Sequence, residues 1–325
     1  MPSGPALDVD AQAPPDLPAH ADVLAAARRI AGQITCTPLL SSEALNRLAG
    51  ADLHFKCENL QIGGAFKLRG ASNAVALLDP LAAEHGVCTH SSGNHGAALA
   101  RAARARGIAC TVVVPEGTNA RKLANMRAQG AQLISCAPTQ QAREQTLARH
   151  QRETGATPIH PYDDSAVIAG QGTAALELQA QAPKLELWLC PVGGGGLLAG
   201  TLLAADGRIP VWGCEPAGAD DAARSLASGH RITEQTPDTL CDGLRATIGR
   251  RNFALIQAHA AGILTVSDRQ VIEAMRLLWD ELKLVVEPSA ATTLAAVLAH
   301  PEHFRGRRLG IILTGGNVDL EQLPW

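Results

Sequence analysis

The chain has 325 residues, 46% of them hydrophobic and 18% charged, with a net charge of -3 at pH 7. That balance suits a soluble protein with a sizeable core and excludes a basic nucleic-acid surface or an anionic-membrane binder as its main role. Aromatic residues make up only 3%, so the core must be built from Ala, Leu, Val and Ile.

Residues 1–20 hold five prolines and no Lys or Arg; they read as a disordered tail, neither signal peptide nor membrane helix. No run of 18 apolar residues follows, so no bilayer span is expected. The eight cysteines contain no C-x-x-C and read as reduced core residues of a cytoplasmic protein. From residue 86 the pattern is regular. VCTHSS, IACTVVVPE and AQLISCA read as strands. NHGAALARAARARG, NARKLANMRAQG and QQAREQTLARHQRETG read as helices stopped at Gly107, Gly130 and Gly155. A second series follows: strand LELWLCPV, a loop and helix in GGGGLLAGTLLAAD, and strand IPVWGCE. Then come a helix from Asp268 capped by Ser267 and Gln270, and strand LGIILTGGNVDL. The alternation predicts two α/β lobes with open, mostly parallel, doubly wound sheets.

LWLCPVGGGGLLAG (187–200) places bare backbone between a strand and a helix, where amides and the helix dipole favour an anion. Gly194, Gly196 and Ala199 fit a dinucleotide fingerprint, with Glu215 as the ribose acid. The same residues suit any phosphate, and no Gly-Lys-Ser/Thr follows to make a P-loop. KCENLQIGGAFKLRGASNA (56–74) sets Lys67 behind a Gly-Gly-Ala turn and before a helix, THSSGNHGAALA (89–100) offers a second anion cup, and ILTGGNVDL (312–320) ends a strand at Thr314.

AFKLRGA, SSGNHG, GGGG and TGGN, in this order, resemble the fold-type-II pyridoxal-phosphate enzymes, of the tryptophan synthase β-like fold. The likeness is to the serine/threonine dehydratases and serine racemases in particular, and runs from about residue 20 onward. It implies a large cofactor-binding domain of residues 21–85 and 164–325, with a small domain of 86–163 between. It implies pyridoxal 5'-phosphate carried by Lys67, packed by Phe66. Gly193, Gly194, Gly195 and Gly196 would hold its phosphate, Asn94 its ring hydroxyl and Thr314 its pyridine nitrogen. Ser91, Ser92, Gly93, Asn94 and His95 would hold the substrate carboxylate. Lys67 is then the base that takes the Cα proton, and Ser92 the second base that racemisation needs. EPAGADD (215–221) resembles the family's cation loop, with Glu215, the Ala219 carbonyl and Asp221 as hard ligands for Mg²⁺, Ca²⁺ or Mn²⁺.

The expected activity is β-elimination of water from L-serine or L-threonine; serine racemase with side elimination, and a 3-hydroxyaspartate dehydratase, are the alternatives. The family habit is a homodimer acting on a small amino acid, without nucleic acid or membrane. Ile62-Gly63 and Ala97 replace the Lys-Thr and Gln that nucleotide-activated racemases carry, so no such activation is expected, and none by a C-terminal regulatory domain. His90 and His95 read as structural; Tyr162 falls where the family closes its pocket and reads as a boundary turn, and the resemblance implies that Glu287 approaches the cofactor ring. Two rivals, an NAD-dependent oxidoreductase and a non-catalytic amino-acid sensor, rest respectively on the fingerprint and on the fold.

Overall fold

The computed structural model describes residues 16–325, so the expected tail lies mostly outside it; a helix, His20–Ile30, begins at that tail's end. Among the described residues, ten strands form two sheets. They are β1 (Leu39–Leu40), β2 (Asp52–Cys57), β3 (Val87–His90), β4 (Cys110–Pro115) and β5 (Ala131–Cys136), then β6 (Thr157–Pro158), β7 (Leu187–Pro191), β8 (Val211–Pro216), β9 (Gly262–Val266) and β10 (Arg308–Leu313). One sheet runs β1-β2-β10-β7-β8-β9, parallel except for the β1–β2 pair. The other runs β5-β4-β3-β6 and is parallel throughout.

Each sheet reverses its winding once. In the smaller sheet the chain moves outward from β3 to β4 and β5, then returns to place β6 on the other flank of β3. In the larger it moves from β7 to β8 and β9, then returns with β10 on the other flank of β7. A crevice opens at the carboxyl ends of the strands wherever such a reversal occurs. The Ser91–His95 loop and the segment from His160 to Asp163 flank one reversal; Gly193–Gly196 and Thr314–Asn317 flank the other. The four motifs thus leave strand ends at or beside the switch points.

The local reasons are those of the sequence. β7 and the apolar stretch of β10 are buried on both faces, hence their continuous apolar runs. Gly155 takes the left-handed conformation (φ 74°) that stops the helix Gln140–Thr154. Ser267 and Gln270 exchange hydrogen bonds at the start of the helix Asp268–Leu282. Small residues let helices approach: a Cβ on Gly200 would stand 2.6 Å from the backbone nitrogen of Gly172, so the helices Ser165–Gln181 and Gly196–Ala205 touch backbone to backbone. One reading shifts. The helix expected after Lys67 begins at Lys67 itself (Lys67–Ala76), because the Phe66 carbonyl already accepts from Arg69 N.

Candidate active site

Backbone bonds join the loops. Phe66 N donates to the Thr314 carbonyl (3.0 Å), Gly316 N to Gly64 O (2.9 Å) and Glu287 N to Gly315 O (2.9 Å). Lys67 is thereby fixed beside Thr314. Its Nζ donates to the Pro161 carbonyl at 2.9 Å and lies 5.0 Å from the centre of the Phe66 ring. No carboxylate pairs with it among the described residues. Lys67 keeps some surface at the cleft, yet burial draws its ammonium down to about 8, against the opposing pull of the Glu287 carboxylate. Its helix is pinned by Arg69, wholly buried, which donates to Glu58 (2.7 and 2.8 Å) and to Glu177 (2.8 and 2.8 Å).

The glycine loop has two distinct reasons to be bare. Among the described residues the backbone N–H groups of Gly193, Gly194, Gly195 and Gly196 donate to no protein acceptor, at the start of a ten-residue helix. Each position is also closed to a side chain by a protein neighbour. A Cβ on Gly194 would overlap the Tyr162 ring; on Gly196 it would stand 2.8 Å from Tyr162 O, and on Gly193 2.9 Å from Leu244 Cα. Gly195 has φ 88°, and a Cβ there would lie 2.8 Å from that of Asn252. Gly194 O is held by Asn252 Nδ2 (2.6 Å) and Gly249 N (3.0 Å).

Thr314 is buried, and its Oγ1 has no hydrogen-bond partner among the described residues. Asn94 Nδ2 donates to both oxygens of Glu287 (3.1 and 3.0 Å), while Asn94 Oδ1 accepts from Asn317 Nδ2 (2.9 Å). Burial pushes the Glu287 carboxyl up to about 7, with Asn94 opposing. Ser91 is spent on its own loop: its Oγ accepts from Gly93 N (3.2 Å) and Gly96 N (3.1 Å). Ser92 is exposed. His95 is buried, its Nε2 3.4 Å from the Ile159 carbonyl, and burial holds its pKa well below the usual imidazole range. His160 is pushed down to about 4 by burial; its Nδ1 accepts from Asp163 N at 2.9 Å, so the neutral ring carries its proton on Nε2.

Glu215 is fully buried and accepts from Ala222 N (3.3 Å) and Ala223 N (2.9 Å). It turns into its own loop, which removes the ribose partner that a dinucleotide reading needs. Asp221 accepts from Ile248 N (2.7 Å) and Gln235 (2.6 Å). Burial raises both carboxyls, Glu215 well above the usual range and Asp221 to about 6. Ala219 is buried in the same turn. No group of three or more His, Cys, Asp or Glu that could hold a metal ion is present among the described residues.

Several contributors carry no sequence signal: the Pro161 carbonyl, because any residue supplies one, and Asn252, Glu58 and Glu177, because their partners are distant in the chain. HPYDD (160–164) is the one local hint, a polar turn with the chain's only tyrosine.

A family model described as "Pyridoxal-phosphate dependent enzyme" matches residues 30–315. The chain belongs to that family. It is 46% identical to a beta-hydroxyaspartate dehydratase of Paracoccus denitrificans (strain Pd 1222), over 95% of this chain and 99% of that one. It is 44% identical to a serine racemase of Dictyostelium discoideum, over 93% and 95%. A crystal structure of serine racemase from Dictyostelium discoideum superposes with a TM-score of 0.89 at 44% identity, covering 94% of this chain and 100% of that one. The fold is therefore fold type II, and the enzyme class is the pyridoxal-phosphate lyases and racemases.

Proposed function

We propose that this chain removes water from a β-hydroxy-α-amino acid, yielding a 2-oxo acid and ammonia. The observation that carries the reading is Lys67. It is an enclosed amine, free of any carboxylate partner among the described residues and drawn down to about 8, on the same cleft as four unused amides. The residues fit the cofactor: an amine for its aldehyde, a cup of amides for its phosphate, and in Thr314 Oγ1 a buried hydroxyl with no protein partner for its ring nitrogen. When bound, pyridoxal phosphate would supply a sink for the electron pair left at the substrate's Cα.

The chain's own residues do the rest. Gly193–Gly196 would hold the phosphate at a helix N-terminus. Asn94, turned by Glu287 and Asn317, would meet the ring hydroxyl, and Phe66 would pack the ring. The Ser91–His95 loop would hold the substrate carboxylate, with Ser91 bracing it from within. Lys67, once freed, takes the Cα proton as a neutral amine, and the β-hydroxyl departs with a proton as water. Thr314, a neutral hydroxyl, would meet the ring nitrogen without charging it, which would favour prompt loss of the β-hydroxyl.

Among substrates, 3-hydroxyaspartate stands first beside L-serine and L-threonine, since the 46%-identical relative is named for it. Racemisation is the second reading. Ser92 is exposed and makes no protein hydrogen bond among the described residues, as a base on the opposite face of Cα requires; Ser92→Ala should abolish D-serine while sparing pyruvate. Glu215, the Ala219 carbonyl and Asp221 would hold a divalent cation, whose charge would offset two buried carboxylates. Residues 86–163 would be the small domain, against 21–85 with 164–325. The deciding assay measures oxaloacetate, pyruvate, 2-oxobutanoate and D-serine from 3-hydroxyaspartate, L-serine and L-threonine. Absence of every 2-oxo acid from a yellow protein would sink the lyase reading.

A further inference from the structure

The glycine cup and the lysine are both held by one short segment. His160 to Asp163 joins β6 of the smaller sheet to the helix Ser165–Gln181. Within it the Pro161 carbonyl takes the Lys67 ammonium (2.9 Å), and the Tyr162 ring lies flat against Gly194 where a Cβ would stand. Tyr162 O accepts from Asn252 Nδ2 at 3.1 Å, and the same amide nitrogen reaches Gly194 O. The Asp163 carboxylate accepts from Arg250 N (3.0 Å) and Arg251 N (2.9 Å), capping the helix Arg250–His259 that carries Asn252. The Tyr162 ring also meets the His160 ring edge-on, with centroids 4.5 Å apart.

We infer that Tyr162 is a positioning residue for the phosphate cup: its ring is the platform that fixes Gly194, and with it the direction of the four amides. Four consecutive glycines have no side chains with which to hold a shape of their own. The platform supplies the missing constraint. Because Pro161 is the adjacent residue, the segment also sets the spacing between the cup and Lys67. The inference rests on the reading of the loop as a phosphate site given above.

Tyr162 is the chain's only tyrosine, so protein grown with 3-fluorotyrosine carries a single ¹⁹F probe at this position. Its resonance should differ between the holoenzyme and the full chain stripped of cofactor. In the holoenzyme, Tyr162→Phe should release pyridoxal phosphate at nearly the wild-type rate, whereas Tyr162→Ala should release it roughly tenfold faster or more. The ³¹P resonance of the bound phosphate should move in Tyr162→Ala and stay in place in Tyr162→Phe. Binding of pyridoxal, which lacks the phosphate, should be indifferent to either change; general loosening of the fold would weaken both ligands. A Tyr162→Ala enzyme with wild-type release and an unmoved ³¹P signal would overturn the inference and leave the cofactor reading standing. A wild-type chain with no bound ³¹P signal would overturn that reading itself. Should Tyr162→Ala not fold, Tyr162→Leu and the ¹⁹F comparison on the wild type decide.

Discussion

Asn94 donates to both carboxylate oxygens of Glu287, at 3.1 and 3.0 Å, across the cleft between the two sheets. Asn94 follows β3, and Glu287 precedes the helix Pro288–Ala299 on the larger sheet. The bond makes a buried carboxylate part of the contact between the sheets, and that has a pH consequence. The folded carboxyl is raised to about 7 from the ordinary glutamate value of 4.5. Between those values the folded chain binds the proton more tightly than the unfolded one. Stability from this group is therefore greatest in acid, falls as pH rises through the window, and levels off above about 7. The penalty is on the order of 3 kcal/mol at most. Glu287→Gln keeps an acceptor for Asn94 and removes the titration. Its melting temperature should exceed the wild type's at pH 8, and the advantage should shrink towards pH 5. A difference independent of pH would contradict the assignment.

Lys67 at about 8 predicts how the cofactor-free chain takes up pyridoxal phosphate. Only a neutral amine attacks an aldehyde. At pH 7 roughly a tenth of such amines are neutral, against a few in ten thousand for an ordinary lysine. The capture rate, followed by imine absorbance in stopped flow, should rise tenfold per pH unit up to about 8 and then flatten. A rise continuing past pH 10 would mean an unperturbed lysine. Lys67→Ala should form no imine and no borohydride-stable adduct.

Strands β3, β4 and β5 of the smaller sheet were legible because apolar runs alternate with helices that stop at Gly107, Gly130 and Gly155, all with positive φ. β1 was not: it is two residues long and half-buried. The order of the four glycine-bearing motifs told the family, because each alone is common and the four in sequence are not. What lies between the motifs was hidden, because Arg69, Glu58 and Glu177 look like surface charges until the fold brings them together. The tetraglycine was legible as bare backbone, but Tyr162, more than 30 positions earlier, gives part of the reason. A one-dimensional pattern carries no sign of a packing partner at that separation.

Arg69 tests that hidden layer. Glu58 and Arg69 are both fully buried, so removing one partner leaves an uncompensated charge in the core. Arg69→Met should destabilise the chain by about 3–5 kcal/mol, seen as a lower urea midpoint. Adding Glu58→Gln should recover part of the loss, because it removes the orphaned charge. Additive losses in the double variant would argue that the two side chains act separately.

Gly200 ties the helix that follows the glycine loop to its neighbour. A Cβ there would stand 2.6 Å from Gly172 N and strike the Ile168 carbonyl, both backbone atoms that cannot rotate away. Gly200→Ala should cost about 1–3 kcal/mol through overpacking. The helix that must shift begins at Gly196, so cofactor release should also quicken. Thr201→Ala, one position on and also buried, adds no atom to that contact and should leave release unchanged.

On the proposed reading, Thr314 would decide how the electron pair at Cα is spent. Its hydroxyl is buried and unpaired among the described residues, directly after β10. A neutral hydroxyl facing the ring nitrogen leaves that nitrogen uncharged and the sink weak, so the β-hydroxyl is expelled as soon as Cα loses its proton. Asp at this position would favour a protonated nitrogen and a stronger sink, letting the electron pair persist long enough for a proton to return from the other face. With L-serine, Thr314→Asp should raise the ratio of D-serine to pyruvate, read by chiral chromatography beside a coupled pyruvate assay. A buried carboxylate is itself costly, so Thr314→Ser, which keeps the hydroxyl, serves as the control and should hold the wild-type ratio. If Thr314→Asp binds cofactor and partitions as the wild type does, the ring nitrogen is governed by some other group.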